Sequence, residues 1–230
     1  MRLVIGTPAY GGLFHNNYVE SLIDTVTGLN RDGVTFMFRG VSNDALINRA
    51  RNTIADEAIR WNADKLLFID ADVGWKWEDV RALLDSDKLV VGGTYPKKAF
   101  PVDLNYNVND EHKSIYGPEG HKDMASHERL KAFADPRTGE VAIRHLPTGF
   151  MMIDIKVFYL LNDKVAAYRR LGRNKAPKQF RNYFPIRVHD GLLESEDWGF
   201  CTTCREHGIE IYLNTNVIVT HRGSHLFEMT

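Results

Sequence analysis

The sequence predicts an α/β domain built on a mixed, mostly parallel central sheet with helices on both faces. Three observations predict it. Short runs that are apolar throughout recur along the first hundred residues, helical periodicity fills the intervals, and Gly, Pro or Asp closes the runs. Strands without polar alternation belong to sheets buried on both sides, and their alternation with helices is the pattern of βαβ units.

Leu3-Val4-Ile5 reads as a buried strand ended by Gly6 and Pro8. Residues 17 to 29 place Val19, Leu22, Ile23 and Val26 at helical spacing, and Val34 to Phe38 gives a second strand. Asn43 or Asp44 is then positioned to cap a helix whose Leu46, Ala50, Ile54 and Ala58 share one face. Leu66-Leu67-Phe68-Ile69 is the third strand and Leu89-Val90-Val91 the fourth. Past residue 100 the rhythm changes. Asn, Asp, Gly and His between 103 and 128 imply irregular loops or a small antiparallel excursion, and strands return at 141 to 145 and 149 to 155. From Tyr168 to Arg187 there are seven Lys or Arg and no acid. The prolines and glycine there argue against a long helix, so a mobile loop is expected. A helix over Ser195 to His207 and apolar runs at 209 to 213 and 217 to 220 close the chain.

A length of 230 residues fits one domain, here expected to span 1–230, and 43% hydrophobic with 26% charged residues is ordinary globular composition. The formal charge of −1 gives no whole-chain attraction for polyanions, so any basic surface must be local. Cys201 and Cys204 are the two cysteines, and their CxxC spacing has no second pair to complete a zinc site. They read as free thiols in a reducing compartment. The apolar run at the N-terminus is too short for a signal-peptide core, and nothing approaches the roughly 20 apolar residues of a membrane span. A soluble, cytoplasmic protein is expected. Oligomeric state is not legible.

The sharpest chemical feature is Asp70-Ala71-Asp72, placed where the Leu66–Ile69 strand ends. Ligands of open α/β sheets bind outside the carboxyl ends of the strands. Two carboxylates one residue apart at that edge suit Mn²⁺ or Mg²⁺, which share oxygen ligands between protein and substrate phosphates. An acidic loop capping the following helix is the plain alternative.

With this strand and motif the chain resembles GT-A-fold glycosyltransferases, most closely the small single-domain kind of bacteria, phages and large DNA viruses. Further pieces stand in the expected order. The resemblance implies that Thr7, Pro8, Ala9 and Tyr10 hold the base and ribose of a nucleotide-sugar donor such as a UDP-sugar. It sets Asn48-Arg49-Ala50-Arg51-Asn52 on the helix before the motif strand, and Gly149, in Thr148-Gly149-Phe150, beneath the transferred sugar. It makes Glu196-Asp197, in Glu194-Ser195-Glu196-Asp197-Trp198, the acidic motif that ends in the catalytic base. His221 then completes a metal site with Asp70 and Asp72. On this reading residues 1–100 form the nucleotide-sugar half and 101–230 the acceptor half.

The residues carry readings of their own. Tyr10, past the first strand, stacks on a base or packs a loop. Arg49 and Asn52 share a helix face while Arg51 points elsewhere on the same turn. Either arginine can hold a diphosphate through paired hydrogen bonds. Gly149 allows close backbone approach, or is a plain turn. Displacing a nucleoside diphosphate requires neutralising the departing charge and deprotonating the acceptor hydroxyl. Metal at Asp72, with Asp70, serves the first; Asp197, with Glu196 as its alternate, serves the second and inverts the anomeric centre. Ser195, Glu196 and Asp197 also suit a helix cap. His145, His189 and His225 lack such a placement and read as structural. The basic stretch 168–187 serves as a lid over the diphosphate or as a contact for a DNA acceptor in place of a glycan.

The expected function is therefore metal-dependent hexosyl or pentosyl transfer to a hydroxyl acceptor. Nucleotidyl transfer is the rival enzyme class, but Gly6-Thr7-Pro8-Ala9-Tyr10-Gly11-Gly12 has no Lys or Arg for a phosphate loop. A non-catalytic carbohydrate- or nucleic-acid-binding module is the other alternative.

Overall fold

The computed structural model describes residues 1–117, 120–171, 177–223 and 226–228, with side chains of 226 and 227 left aside. Its first strands and helices are β1 (Arg2–Ala9), α1 (Asn16–Arg31), β2 (Thr35–Ser42), α2 (Ile47–Arg60) and β3 (Lys65–Ile69). There follow β4 (Val73–Gly74), α3 (Trp77–Asp85), β5 (Val90–Thr94), α4 (Met124–Lys131), β6 (Glu140–Ile143) and β7 (Phe150–Asp154). Next come α5 (Lys156–Leu161), β8 (Ala167–Leu171), β9 (Pro177–Arg181), β10 (Arg187–His189) and β11 (Leu192–Glu194). The last elements are α6 (Glu196–Glu206), β12 (Ile211–Ile218), β13 (Thr220–Arg222) and β14 (Leu226–Phe227). Each expected element of the first hundred residues is present.

Seven strands form the main sheet in the order β2-β1-β3-β7-β5-β12-β6. β1 runs parallel to β2 and β3, and β12 parallel to β5. β7 is antiparallel to both β3 and β5, and β6 is antiparallel to β12. Strands β1, β2, β3, β5 and β12 therefore share one direction. Their carboxyl ends gather at a single edge together with the amino end of β7.

Both faces of this sheet are dry. Val4, Leu66, Phe68, Val90 and Met151 point into one core, with Ile54 of α2 and Phe200 of α6. Their chain neighbours Leu3, Ile5, Leu67, Val91 and Met152 point into the other, with Leu29 of α1 and Leu83 of α3. The period of two sends successive side chains to opposite faces, so strands covered twice have to be apolar throughout. Gly28 lets α1 meet α3 closely: a Cβ there would lie 2.3 Å from the Trp77 ring.

Three local expectations change. Neither Asn43 nor Asp44 caps α2, whose N-terminal neighbour is Leu46 with no capping hydrogen bond. Asp44 instead takes the Leu46 N–H at 3.2 Å and the Arg49 guanidinium at 2.6 Å. A carboxylate placed two residues early reaches the arginine of the first turn more readily than the helix N–H groups. Leu46 lies 53% exposed, outside the buried face that holds Ala50, Ile54 and Ala58.

The expected loop over 168–187 is, in its described residues, an antiparallel ladder of β8 and β9 pairing Tyr168 with Phe180. Alternation decides this. Phe180 is buried, Tyr168 stacks on it at 5.7 Å, and Arg170 turns to Asp44 and Thr53 of the α2 region, while Arg169 and Leu171 face out.

Cys201 and Cys204 are both free and buried on α6. Burial pushes both thiols above the ordinary range, which suits packing rather than redox work. Among the described residues no helix is long and apolar enough to cross a membrane.

Candidate active site at the carboxyl edge of the sheet

The Asp70-Ala71-Asp72 loop leaves β3 and is pinned by its backbone. The Asp70 N–H donates to Gly149 O at 3.0 Å and the Asp70 carbonyl accepts from Val73 at 3.1 Å. The Ala71 carbonyl accepts from His15 at 3.0 Å, and the Asp72 carbonyl from Arg222 at 2.7 Å. With main-chain groups committed to α1, β7 and β13, the two carboxylates are free to face the edge. β4 pairs Val73 with His221 of β13, and this register carries the late histidine to the early aspartate.

His221 Nδ1 donates to the Pro96 carbonyl at 2.9 Å, since a carbonyl only accepts. Nε2 faces Asp72 Oδ1 at 3.5 Å. Protonated, it pairs with the carboxylate; deprotonated, it offers a lone pair, the second-shell arrangement usual for metal-binding histidines. Lys98 Nζ hydrogen-bonds the other oxygen, Asp72 Oδ2. Burial raises the Asp72 carboxyl, but His221 and Lys98 outweigh it and hold its pKa at about 2. Among the described residues no group of three or more His, Cys, Asp or Glu side chains forms a cage for a metal ion. Asp72 and His221 fit a hard divalent cation that takes its remaining ligands from phosphate oxygens and water.

Arg51 forms the second half of the site. Its Nη2 donates to Asp70 Oδ1 at 2.9 Å and its Nε to Glu196 Oε1 at 3.1 Å, joining positions 145 residues apart. The side chain is 1% exposed and lies over the Phe68 ring at 5.3 Å. Burial alone disfavours its charge, yet Asp70 and Glu196 more than compensate and raise its pKa. Nη1 is buried without a partner among the described residues.

Glu196 of α6 and Asp70 after β3 thus meet at one guanidinium. Ser195 precedes the helix, but its hydroxyl donates to Asp197 rather than accepting a helix N–H. Asp197 Oδ1 also accepts from the Trp198 N–H at 2.8 Å. Burial first, then the Glu196 charge, push the Asp197 carboxyl above the usual carboxylate range. Gly149 closes the floor: a Cβ there would stand 2.3 Å from Tyr95 Oη and 2.7 Å from Asp70 Oδ2.

The remaining expected residues are placed less centrally. Thr7 is fully buried, its hydroxyl bonded to Tyr18 Oη at 2.5 Å, and Ala9 is buried as well. Pro8 is half-buried, and Tyr10 is 76% exposed beyond the end of β1. Arg49 is turned to Asp44, so Arg51 is the arginine brought to the motif. Asn52 is occupied with Asn182 at 3.0 Å and the Phe184 N–H at 3.2 Å. His189 sits on β10 near Asp190, and His145 is buried beside Trp198. His225 lies outside the described residues.

Two residues of the site escape the sequence reading. Tyr95 follows β5, lies buried, and packs tilted against the His221 ring at 4.7 Å. Burial first, then Asp70 and Asp197, push its phenol well up. The edge rule that singles out Asp70 finds Tyr95 too, applied to the end of β5. Lys98 has no such signal, because a loop positions it.

No protein-family model matches the chain, and no curated protein matches it. Among solved structures, A197 from STIV is similar over 100% of this chain and 95% of that chain, at 16% identity and TM-score 0.55. The two chains share one fold. S. aureus TarS 1-349 in complex with UDP-GlcNAc matches over 98% of this chain and 60% of that chain, at 12% identity and TM-score 0.46. GalNAc-T7 with UDP, GalNAc and Mn²⁺ matches over 96% and 43%, at 8% identity and TM-score 0.47. At such identities the likeness conveys architecture alone, and activity has to be argued from side chains.

Proposed function

We propose that the chain is a glycosyltransferase that moves a sugar from a nucleoside-diphosphate donor to a hydroxyl of an acceptor glycan, with inversion. The observation that carries this reading is the Arg51 bridge, which draws Asp70 and Glu196 to one guanidinium. Leaving-group and proton-transfer chemistry need carboxylates of opposite duty on either side of one reacting carbon. The donor lies along the ends of β1 and β2, with Tyr10 as the exposed ring for its base. Residues 1–100 supply most of this donor half and residues beyond 100 the acceptor half.

Asp72 and His221 would hold Mn²⁺ or Mg²⁺, which when bound neutralises the diphosphate as it departs. The ammonium of Lys98, already on Asp72, adds a second positive charge on the same side. Arg51 fixes the Asp70 carboxylate through its guanidinium. Asp197, raised by burial, accepts the proton of the acceptor hydroxyl as that oxygen attacks the anomeric carbon. The phosphate bond to that carbon breaks on the opposite face. Pairing of Arg170, Lys178, Arg181 and Arg187 with Asp44, Asp56, Asp163 and Glu194 leaves less free positive charge near 168–187 than the sequence suggests. This favours a glycan over DNA as acceptor.

The test is nucleotide release from UDP-, GDP-, dTDP- and CDP-sugars with and without Mn²⁺. Release from one donor that requires Mn²⁺ and is lost in Asp72→Asn is the expected result. No release from any donor, together with no thermal stabilisation by any of the nucleotides in Mn²⁺, would overturn the proposal.

A further inference from the structure

Glu196 and Trp198 are two positions apart on α6 and so face different sides of it. Glu196 faces Arg51. Trp198 instead lines a pocket of about 250 Å³, bounded also by His145, Glu194, Asn107, Arg144 and Asp190. None of these groups takes part in the donor chemistry described above.

The indole of Trp198 and the imidazole of His145 stack almost parallel, 4.6 Å apart at 4°. A relay behind them fixes the imidazole. Thr202 donates to Glu194 Oε1 at 2.7 Å, so its oxygen accepts from His145 Nε2 at 3.1 Å. Nε2 therefore carries the proton and Nδ1 the lone pair. Burial holds His145 neutral, with a pKa of about 4, and the residue is 5% exposed. Nδ1 has no hydrogen-bond partner among the described residues. A buried acceptor left open is costly, and a ligand donor that reached it would relieve that cost.

We propose that this pocket is the acceptor subsite and takes one pyranose ring, packed on Trp198, with a ring hydroxyl donating to His145 Nδ1. This rests on the transferase reading. The volume falls just under the roughly 300–1,000 Å³ of drug-sized sites, which limits the occupant to about one ring. The lining combines a flat apolar platform with polar groups of both signs, Lys113 and Arg144 against Asp190 and Glu194. A sugar ring has that character, with C–H faces and a hydroxyl edge. A phosphate chain does not, because it has no apolar face to lay on the indole. Trp198 also follows the base directly in the chain, and its backbone N–H donates to Asp197 Oδ1. A ring seated here brings its hydroxyl to the carboxylate that removes the proton.

The test follows the indole N–H resonances of the intact chain by NMR, with Trp198 assigned by the signal missing in Trp198→Phe. Methyl glycosides of glucose, galactose, mannose and N-acetylglucosamine are titrated, with p-cresol as a non-sugar ring. A saturable shift of the Trp198 signal with at least one glycoside is expected, weakened about tenfold in His145→Phe, which keeps the stack and lacks Nδ1. A Trp198 signal unmoved by every glycoside, or moved as strongly by p-cresol as by the best of them, overturns the subsite. UDP binding in Mn²⁺, measured separately by calorimetry, distinguishes failure of the transferase reading from failure of this pocket.

Discussion

Arg51 Nη2 lies 2.9 Å from Asp70 Oδ1, an ion pair whose cationic partner is 1% exposed. The same guanidinium reaches Glu196. Removing one member of a buried ion pair leaves an uncompensated charge, at about 3–5 kcal/mol. Arg51→Met is therefore expected to lower unfolding free energy by that order in urea titration. Arg51→Lys keeps the charge but loses the planar fork that spans two acids. It should fold with an intermediate loss and bind UDP in Mn²⁺ at least tenfold more weakly.

Lys98 competes for Asp72. A cation entering between Asp72 and His221 meets a carboxylate already engaged at Oδ2. Lys98→Met is expected to tighten Mn²⁺ binding several-fold, read by calorimetry in the absence of nucleotide. If the ammonium also balances the diphosphate, the variant turns over donor more slowly despite binding more metal. Equal Mn²⁺ affinity in the two proteins would show that Lys98 leaves Asp72 free in solution.

Asp197 sets an acid limb. Its carboxyl is raised above the ordinary 3.8, so a larger fraction is protonated and inactive as base at mildly acidic pH. The rate should climb with pH through that raised value and level off above it. The limb in kcat/KM should lie above the usual aspartate range, and Asp197→Asn should lower kcat by about 10²–10⁴. A profile flat down to pH 4 would assign the proton transfer elsewhere.

Gly149→Ala tests the floor. The added methyl would overlap Tyr95 Oη and Asp70 Oδ2, and Tyr95 is 5% exposed with little room to yield. A loss of about 1–3 kcal/mol is expected from such overpacking. Displacement of Asp70 should reduce UDP affinity beyond what the stability loss accounts for. Comparing thermal melting with UDP binding separates the two.

Much of the fold was legible because burial on both sides leaves a plain trace. Leu66 to Ile69, like Leu3 to Ile5, have no polar position to spare, and a short buried strand needs nothing else to declare itself. The motif acids were legible for a related reason: Asp70 and Asp72 interrupt an apolar run at the edge where ligands of such sheets bind. The hairpin of β8 and β9 was not legible. Its alternation is carried by arginines and lysines, whose stems and charges find partners only once Asp44, Asp56 and Asp163 are in place.

By itself the sequence determined the layered α/β architecture, the strand that leads into Asp70 and Asp72, and the helix over about Ser195 to His207. Periodicity and punctuation are local properties, set by residues within a few positions of each other. Only the tertiary structure decided that Arg51 and not Arg49 faces the motif, that Tyr95 and Lys98 join it, and that Trp198 stacks on His145. Those relations depend on strand order and on how β13 pairs with β4. Residues brought together from separate elements leave no spacing to read.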